Sequence, residues 1–173
     1  MSEKTADSGG AADSKNAAVC GGCVCGAVRY QFTGKMMWPG ICHCAICRKM
    51  GGAAGGAWFG VLRDCCEISG KTAIYEYTAD SGNRVSRAVC EKCRAPVYNQ
   101  NSMMSDVIVF AAGSLDKPEL FAPRMRIYTA GAPAWCAPDD GLPRFPGMPS
   151  SEKSAHDAEF HAAAPKTAPE KGE

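Results

Sequence analysis

Cysteine is the residue type that stands out for its chemistry in this chain of 173 residues. Eleven cysteines accompany only three histidines, and seven of the cysteines fall into three short motifs. The motifs read Cys23-Val24-Cys25, Cys42-His43-Cys44-Ala45-Ile46-Cys47 and Cys90-Glu91-Lys92-Cys93. Two cysteines separated by a tight turn can direct both sulfurs at one ion, and zinc prefers four ligands in a tetrahedron. The spacing therefore predicts zinc sites rather than a framework of disulfide bonds.

The first and last motifs supply two thiolates each. Pairing them gives one closed site whose four ligands are Cys23, Cys25, Cys90 and Cys93. A site with four protein ligands leaves no position open for chemistry, so this site is predicted to be structural.

The middle motif supplies three thiolates, Cys42, Cys44 and Cys47, and no fourth cysteine stands at motif spacing. Catalytic zinc sites keep an open position of this kind. His43 is a weaker candidate for that position, because neighbouring side chains of an extended segment point to opposite sides. Three thiolates donate electron density that blunts the activation of water, whereas a soft thiol suits the open position. The three cysteines are predicted to form a catalytic site for a small thiol.

Other interpretations of the cysteines stay open. Both groups can be purely structural zinc knuckles, or the thiols can be reduced residues of the core. Cys20 is close enough to Cys23 in the sequence to compete with it as a ligand.

Basic residues stand beside two of the motifs. Arg48 and Lys49 follow Cys47 directly, and Arg84 and Arg87 precede the last motif. Such residues can bind the carboxylates of an anionic thiol, although a solvated charged surface is the more common explanation. Arg48 is the nearest candidate for binding the thiol substrate.

The remaining pattern is typical of strands. Residues 1–18 and 150–173 have the composition of disordered tails, which leaves residues 19–149 as one domain. Within it, short β-branched or aromatic segments alternate with polar residues and are separated by turns such as Ser81-Gly82-Asn83. The predicted strands are residues 27–32, 57–62, 73–77, 85–89, 107–111 and 125–128. We expect a mainly β domain of antiparallel sheets.

Composition restricts the classes of partner. Nineteen Lys and Arg against eighteen Asp and Glu leave a net charge of +1, too small to favour nucleic acid or an anionic membrane surface. No apolar run reaches the length of a membrane helix, and residues 1–16 carry no targeting pattern. A cytoplasmic location is predicted, and no feature of the sequence sets the oligomeric state.

The order of the motifs resembles the glutathione-dependent formaldehyde-activating family, which includes centromere protein V. The resemblance covers residues 19–145 and rests on these segments: Gly22-Cys23-Val24-Cys25-Gly26-Ala27-Val28-Arg29-Tyr30, Cys42-His43-Cys44-Ala45-Ile46-Cys47-Arg48-Lys49, Cys90-Glu91-Lys92-Cys93, Ala134-Trp135 and Asp140-Gly141-Leu142-Pro143-Arg144-Phe145. It implies a zinc-stabilised β-tent fold with two zinc ions, on the same two sets of cysteines. It also implies a carbon-sulfur lyase that condenses formaldehyde with glutathione to S-(hydroxymethyl)glutathione.

One position departs from the family pattern. Arg94 stands where the family usually has glycine after the last motif. A glycine there commonly permits a positive φ, which arginine adopts only at a cost.

Two further function classes compete with the thiol-adduct enzyme. A non-catalytic zinc module that binds a protein or nucleic acid is the alternative. A basic tail would favour that function, but residues 150–173 carry five acidic residues and only three Lys. A methionine sulfoxide reductase, which shares the β-tent architecture by resemblance, needs an Arg-x-Cys-x-Asn setting that does not occur in the sequence. The enzyme for thiol adducts ranks first.

Overall fold

The structure is a computed structural model that describes residues 17–136 and 139–149. Within these residues the chain forms ten strands, one short α-helix and several turns of 3₁₀ helix. The helix is α1 (Ala45–Gly51). The strands are β1 (Val19–Gly22), β2 (Arg29–Phe32), β3 (Met37–Cys42), β4 (Gly56–Leu62), β5 (Cys66–Ser69), β6 (Thr72–Thr78), β7 (Arg84–Cys90), β8 (Pro96–Asn101), β9 (Met104–Ala111) and β10 (Met125–Ile127).

The strands form two sheets. A three-stranded sheet has the order β1-β2-β5, and a seven-stranded sheet has the order β10-β3-β4-β9-β8-β7-β6. All six predicted strands are present, and the mainly β, single-domain prediction is confirmed. One pair departs from the antiparallel expectation, because β10 pairs with β3 in parallel. The predicted tails fall almost wholly outside the described residues, and the boundaries of the domain at 19 and 149 stay a prediction.

The core lies between the two sheets and is dominated by aromatic rings. Tyr30 and Phe32 alternate with exposed residues along β2, so both rings face inward. They stack with Phe59 of β4 and Phe110 of β9, and the rings of Tyr30 and Phe110 have centroids 4.2 Å apart. Burying each such ring contributes roughly 1.5–3 kcal/mol relative to leaving it exposed.

Alternation along the strands gives the seven-stranded sheet a second, outer face. Phe59 faces the core, so its neighbour Trp58 points to the opposite side of β4. On β7, Cys90 belongs to the core, and Arg87, an odd number of residues away, points to the outer face. Helix α1 follows β3 with only a two-residue connection, which keeps the helix beside this sheet.

The turn predicted at Ser81-Gly82-Asn83 joins β6 to β7. Gly82 has a φ of +81°, a conformation that a residue with a Cβ adopts at a cost. The amide of Gly82 donates to the carbonyl of Ala79 at 2.8 Å, and the amide of Ala79 donates to the carbonyl of Asn83 at 2.8 Å. This hairpin fixes the register of β7, which ends at Cys90. In the part of the chain that the structure describes, no helix combines the length and the apolar character needed to cross a bilayer.

Candidate metal centres

The first cysteine group joins two connections that are far apart in the sequence. Cys23 and Cys25 lie between β1 and β2, Cys90 ends β7, and Cys93 lies in the turn before β8. The four sulfur atoms all lie within 4.8 Å of one another. The sulfur of Cys25 is 3.5 Å from that of Cys23 and 3.8 Å from that of Cys90. Zinc–sulfur bonds of ~2.3 Å in a tetrahedron separate the sulfurs by about 3.8 Å, so this geometry fits zinc.

Backbone amides support the first group. The amide of Val28 donates to the sulfur of Cys23 at 3.2 Å. Burial opposes ionisation of Cys23, but hydrogen bonds from Val28 and from the neighbouring cysteines outweigh it and lower its pKa to about 6. A lowered thiol pKa favours the thiolate, which is the form that binds metal.

Arg94 completes the tight turn that carries Cys90 and Cys93. The amide of Arg94 donates to the carbonyl of Cys90 at 2.9 Å, and the amide of Cys90 donates to the carbonyl of Ala95 at 2.9 Å. The φ of Arg94 is +62°. Arg94 therefore adopts the left-handed conformation that glycine adopts freely, and the turn bears the resulting strain.

The second cysteine group spans the end of β3 and the beginning of α1. Cys42 is the last residue of β3, Cys44 is the N-cap of α1, and Cys47 lies within the helix. Their three sulfur atoms lie within 4.8 Å of one another, and no further Cys, His, Asp or Glu of the described residues joins them. Cys42 and Cys47 are buried, whereas Cys44 is partly exposed. The arrangement offers three thiolates with one accessible side.

Local hydrogen bonds favour a thiolate at Cys44. Its sulfur accepts a hydrogen bond from the amide of Cys47 at 3.4 Å, which is the capping interaction of the helix. The thiols of Cys42 and Cys47, together with the amides of Cys47 and Ile46, lower the pKa of Cys44 well below its ordinary value. One cysteine of each group, Cys23 and Cys44, thus has a lowered pKa that favours the thiolate, whereas hydrogen bonds with the neighbouring thiols and burial raise the pKa of Cys25 and Cys42. Thiolates are the soft donors that zinc binds.

His43 points away from the second group, as the alternation of an extended segment predicts. Its ring is only 1% exposed. The Nε2 atom lies 3.1 Å from a guanidinium nitrogen of Arg126, which can only donate, so Nε2 accepts. The Nδ1 atom then carries the proton and donates it to the carbonyl of Ala54 at 2.9 Å. His43 therefore anchors the loop between Cys42 and Cys44 rather than joining the sulfurs.

Arg126 extends this anchor to the segment that follows β10. Its Nε and NH2 atoms donate to Oδ2 of Asp140 at 3.0 and 2.7 Å. The guanidinium of Arg126 lowers the pKa of the Asp140 carboxyl below its usual range. The ion pair holds the guanidinium against His43. Asp140 is therefore linked through Arg126 and His43 to the segment that carries Cys42 and Cys44.

Arg87 is the residue near the second group whose position the sequence did not indicate. It is 5% exposed, and one of its nitrogens donates to the sulfur of Cys47 at 3.2 Å. Burial alone would lower the pKa of Arg87, but Cys47 and Tyr77 outweigh burial and raise it. The signal that could have located Arg87 is its position on a buried strand, on the face opposite to Cys90.

The other basic candidates differ in their surroundings. Arg48 lies in α1 next to Cys47 and is half-buried, and its Nε atom is buried with no hydrogen-bond partner among the described residues. Lys49 and Arg84 are exposed. Cys20 is exposed and belongs to neither group of sulfurs.

Comparisons with known proteins cover most of the chain. Residues 18–131 match the family described as "Glutathione-dependent formaldehyde-activating enzyme". A crystal structure of a Rhodobacter sphaeroides protein aligns over 73% of this chain and 98% of its own, with 15% identity and a TM-score of 0.47. No curated protein matches the chain. Because the family match spans well over half of the residues, the chain belongs to the glutathione-dependent formaldehyde-activating enzyme family.

Proposed function

We propose that this protein condenses formaldehyde with glutathione to S-(hydroxymethyl)glutathione at a zinc ion held by Cys42, Cys44 and Cys47. A second zinc ion, on the four cysteines of the first group, has a structural role. The observation that carries this proposal is the set of three converging thiolates with no fourth protein ligand among the described residues, found in a member of this family. Free thiols at all eleven cysteines suit a reducing compartment, and we propose the cytoplasm.

The chemistry is an addition that loses no atoms. A zinc ion in the second group would lower the pKa of a thiol brought to its open position and keep it nucleophilic near neutral pH. The thiol would release its proton to solvent, and its sulfur would add to the carbonyl carbon of formaldehyde. The carbon–sulfur bond would form as the C=O double bond becomes single, and the oxygen would take up one proton from solvent, so that protons balance. An enzyme with this activity is a carbon-sulfur lyase, a class named for the reverse reaction, in which the carbon–sulfur bond is broken.

The exposure of the three cysteines sets the direction of approach. Cys42 and Cys47 are buried, so the substrate reaches the group from the side of the partly exposed Cys44. Arg48 lies in the last turn of α1, one residue beyond Cys47. A guanidinium binds carboxylates through paired hydrogen bonds, so we propose that Arg48 holds a carboxylate of glutathione.

Two affinities test the role of Arg48. Arg48→Ala should weaken the binding of glutathione, while the binding of mercaptoethanol, which has no carboxylate, should stay within about twofold of the parent. Lys49→Ala is the matched control, because Lys49 is the exposed neighbour on the same helix. Equal weakening of both thiols by Arg48→Ala would remove the carboxylate contact from the proposal.

The rate of adduct formation tests the function itself. The zinc-loaded protein should form S-(hydroxymethyl)glutathione faster than the uncatalysed reaction at the same pH, and Cys44→Ala should abolish the difference. Cys20→Ala, a change at an exposed cysteine outside both groups, should leave the rate unchanged. If the parent protein does not exceed the background rate, the non-catalytic zinc module is the better description.

A further inference from the structure

The environment of Arg87 is unusual for a buried charge. Its guanidinium contacts the sulfur of Cys47 at 3.2 Å and the hydroxyl of Tyr77 at 3.2 and 3.3 Å, and it lies 5.1 Å from the ring centre of Trp58. No Asp or Glu of the described residues forms an ion pair with it. Because a buried charge needs a partner of opposite sign, Cys47, as a thiolate bound to the metal ion of the second group, would be the partner of Arg87.

A charge count shows what this partner does for the site. Three thiolates around a divalent cation carry a net charge of about −1. A thiolate as fourth ligand would bring the total to about −2, whereas a neutral ligand would leave it unchanged. The positive charge of Arg87, in direct contact with Cys47, offsets one of these negative charges at the place where it arises.

The contacts of Arg87 also restrict its movement. The Tyr77 hydroxyl of β6 accepts from two of its nitrogens. The guanidinium carbon lies 5.1 Å from the ring centre of Trp58 and 5.6 Å from that of Tyr77. Rings of this kind attract cations without neutralising them. The guanidinium is therefore held against Cys47 before any ligand arrives, on the rigid strand β7.

We infer that Arg87 is a positioning residue that selects an anionic thiolate over a neutral ligand at the three-cysteine site. The inference rests on the proposed function, because it assumes that this site binds a metal ion and a thiol. Arg87 acts through Cys47. Its hydrogen bond withdraws electron density from the Cys47 sulfur, and its positive charge compensates for the negative charge of the incoming thiolate. Arg48, by contrast, is proposed to bind a carboxylate of the substrate that lies away from the thiol.

The test replaces zinc with cobalt(II), whose absorption reports the bonds to sulfur, and measures the affinity of the loaded protein for two probes. Mercaptoethanol is the anionic probe, and imidazole is the neutral one. Arg87→Gln removes the charge and keeps an N–H donor, and Arg87→Lys keeps the charge and loses the planar fork. Arg84→Gln, at an exposed position of the same strand, is the control.

We expect Arg87→Gln to weaken mercaptoethanol binding about 10-fold or more, in the range that partners of metal ligands commonly show, and to change imidazole binding much less. Arg87→Lys should retain most of the preference for the thiol. The sulfur-to-cobalt absorption should move to longer wavelength in Arg87→Gln, because Cys47 becomes richer in electrons. A purely structural role would weaken both probes together. Should Arg87→Gln fail to fold, Arg87→Met provides the neutral variant.

The outcomes separate this inference from the proposed function. A parent protein that binds only one cobalt ion per chain, or that binds no thiol, contradicts both. If the parent binds two cobalt ions and mercaptoethanol, and the neutral variant keeps the same ratio of thiol to imidazole affinity, the inference about Arg87 alone is overturned.

Discussion

Arg87 and Cys90 lie three residues apart on β7 and face opposite sides of the seven-stranded sheet. Cys90 points into the core and belongs to the four-cysteine group, whereas Arg87 contacts Cys47 of the three-cysteine group. One strand therefore reaches both groups. β7 also pairs with β6 and β8. Loss of metal from the four-cysteine group should therefore disturb the three-cysteine group, which we call the outer group. Loss of metal from the outer group should have only a local effect.

The first prediction concerns Cys90. Removing one of four thiolates from a structural zinc site forfeits binding free energy on the order of 10 kcal/mol, which is comparable with the whole stability of a domain. Cys90→Ala should therefore fail to show a cooperative thermal transition by circular dichroism, and Cys20→Ala should melt like the parent. A Cys90→Ala protein with full zinc content and the parent's melting temperature would show that this group is not a structural metal site.

The second prediction concerns Cys44. It is the partly exposed member of the outer group, and only the beginning of α1 depends on it locally. Cys44→Ala should lose about one zinc equivalent while its melting temperature stays within roughly 5 °C of the parent. Zinc analysis together with a thermal scan measures both. If this variant unfolds, the outer group is structural and the enzyme assignment fails.

The sequence indicated those elements whose patterns are local. Strands β2, β4, β6, β7, β9 and β10 carry β-branched or aromatic residues, several of them in alternation with polar ones, and each strand was predicted. Strand β3 was missed because it contains Trp-Pro-Gly, and β8 was missed because it begins with Pro and ends in Asn-Gln-Asn. Helix α1 has seven residues, which is too short for a helical period to be visible.

Contacts between distant segments could not be predicted in the same way. The hydrogen bond from Arg87 to Cys47 joins residues 40 positions apart, and no motif spacing encodes it. The parallel pairing of β10 with β3 likewise depends on the complete sheet rather than on a local turn. The short cysteine motifs predicted which sulfurs lie together within each motif. The pairing of the first motif with the last was also predicted, although it came from the need of zinc for four ligands rather than from a local pattern.

The third prediction concerns backbone strain at Arg94. Its φ of +62° costs a residue with a Cβ about 1–2 kcal/mol, and glycine adopts this conformation freely. Arg94→Gly should stabilise the zinc-loaded protein by about 1 kcal/mol in urea unfolding, because the strain energy that is relieved exceeds the cost of the conformational entropy that glycine adds to the unfolded chain. Lys92→Gly in the same turn, where φ is not positive, should destabilise it. A loss of stability in Arg94→Gly would contradict this account of the turn.

The fourth prediction concerns pH and the ion pair between Asp140 and Arg126. The pairing lowers the pKa of Asp140, so the carboxylate stabilises the fold above its unfolded pKa of ~3.9. That contribution is lost only as the pH falls through the still lower pKa of the folded state. Asp140→Asn should therefore lower the melting temperature by a constant amount between about pH 8 and about pH 6. Asp139→Asn, at the exposed neighbour, should have no effect. A difference that shrinks within this range would show that Asp140 titrates there.

The most direct test of the central claim is X-ray absorption at the zinc edge, recorded with and without saturating glutathione. Zinc analysis should first find two ions per chain. The average sulfur coordination per zinc should then rise from about 3.5 to about 4 when glutathione is added, because the outer site gains a sulfur and the closed site does not change. A coordination shell that stays the same at saturating glutathione would contradict the claim that the three cysteines hold an ion open to a thiol.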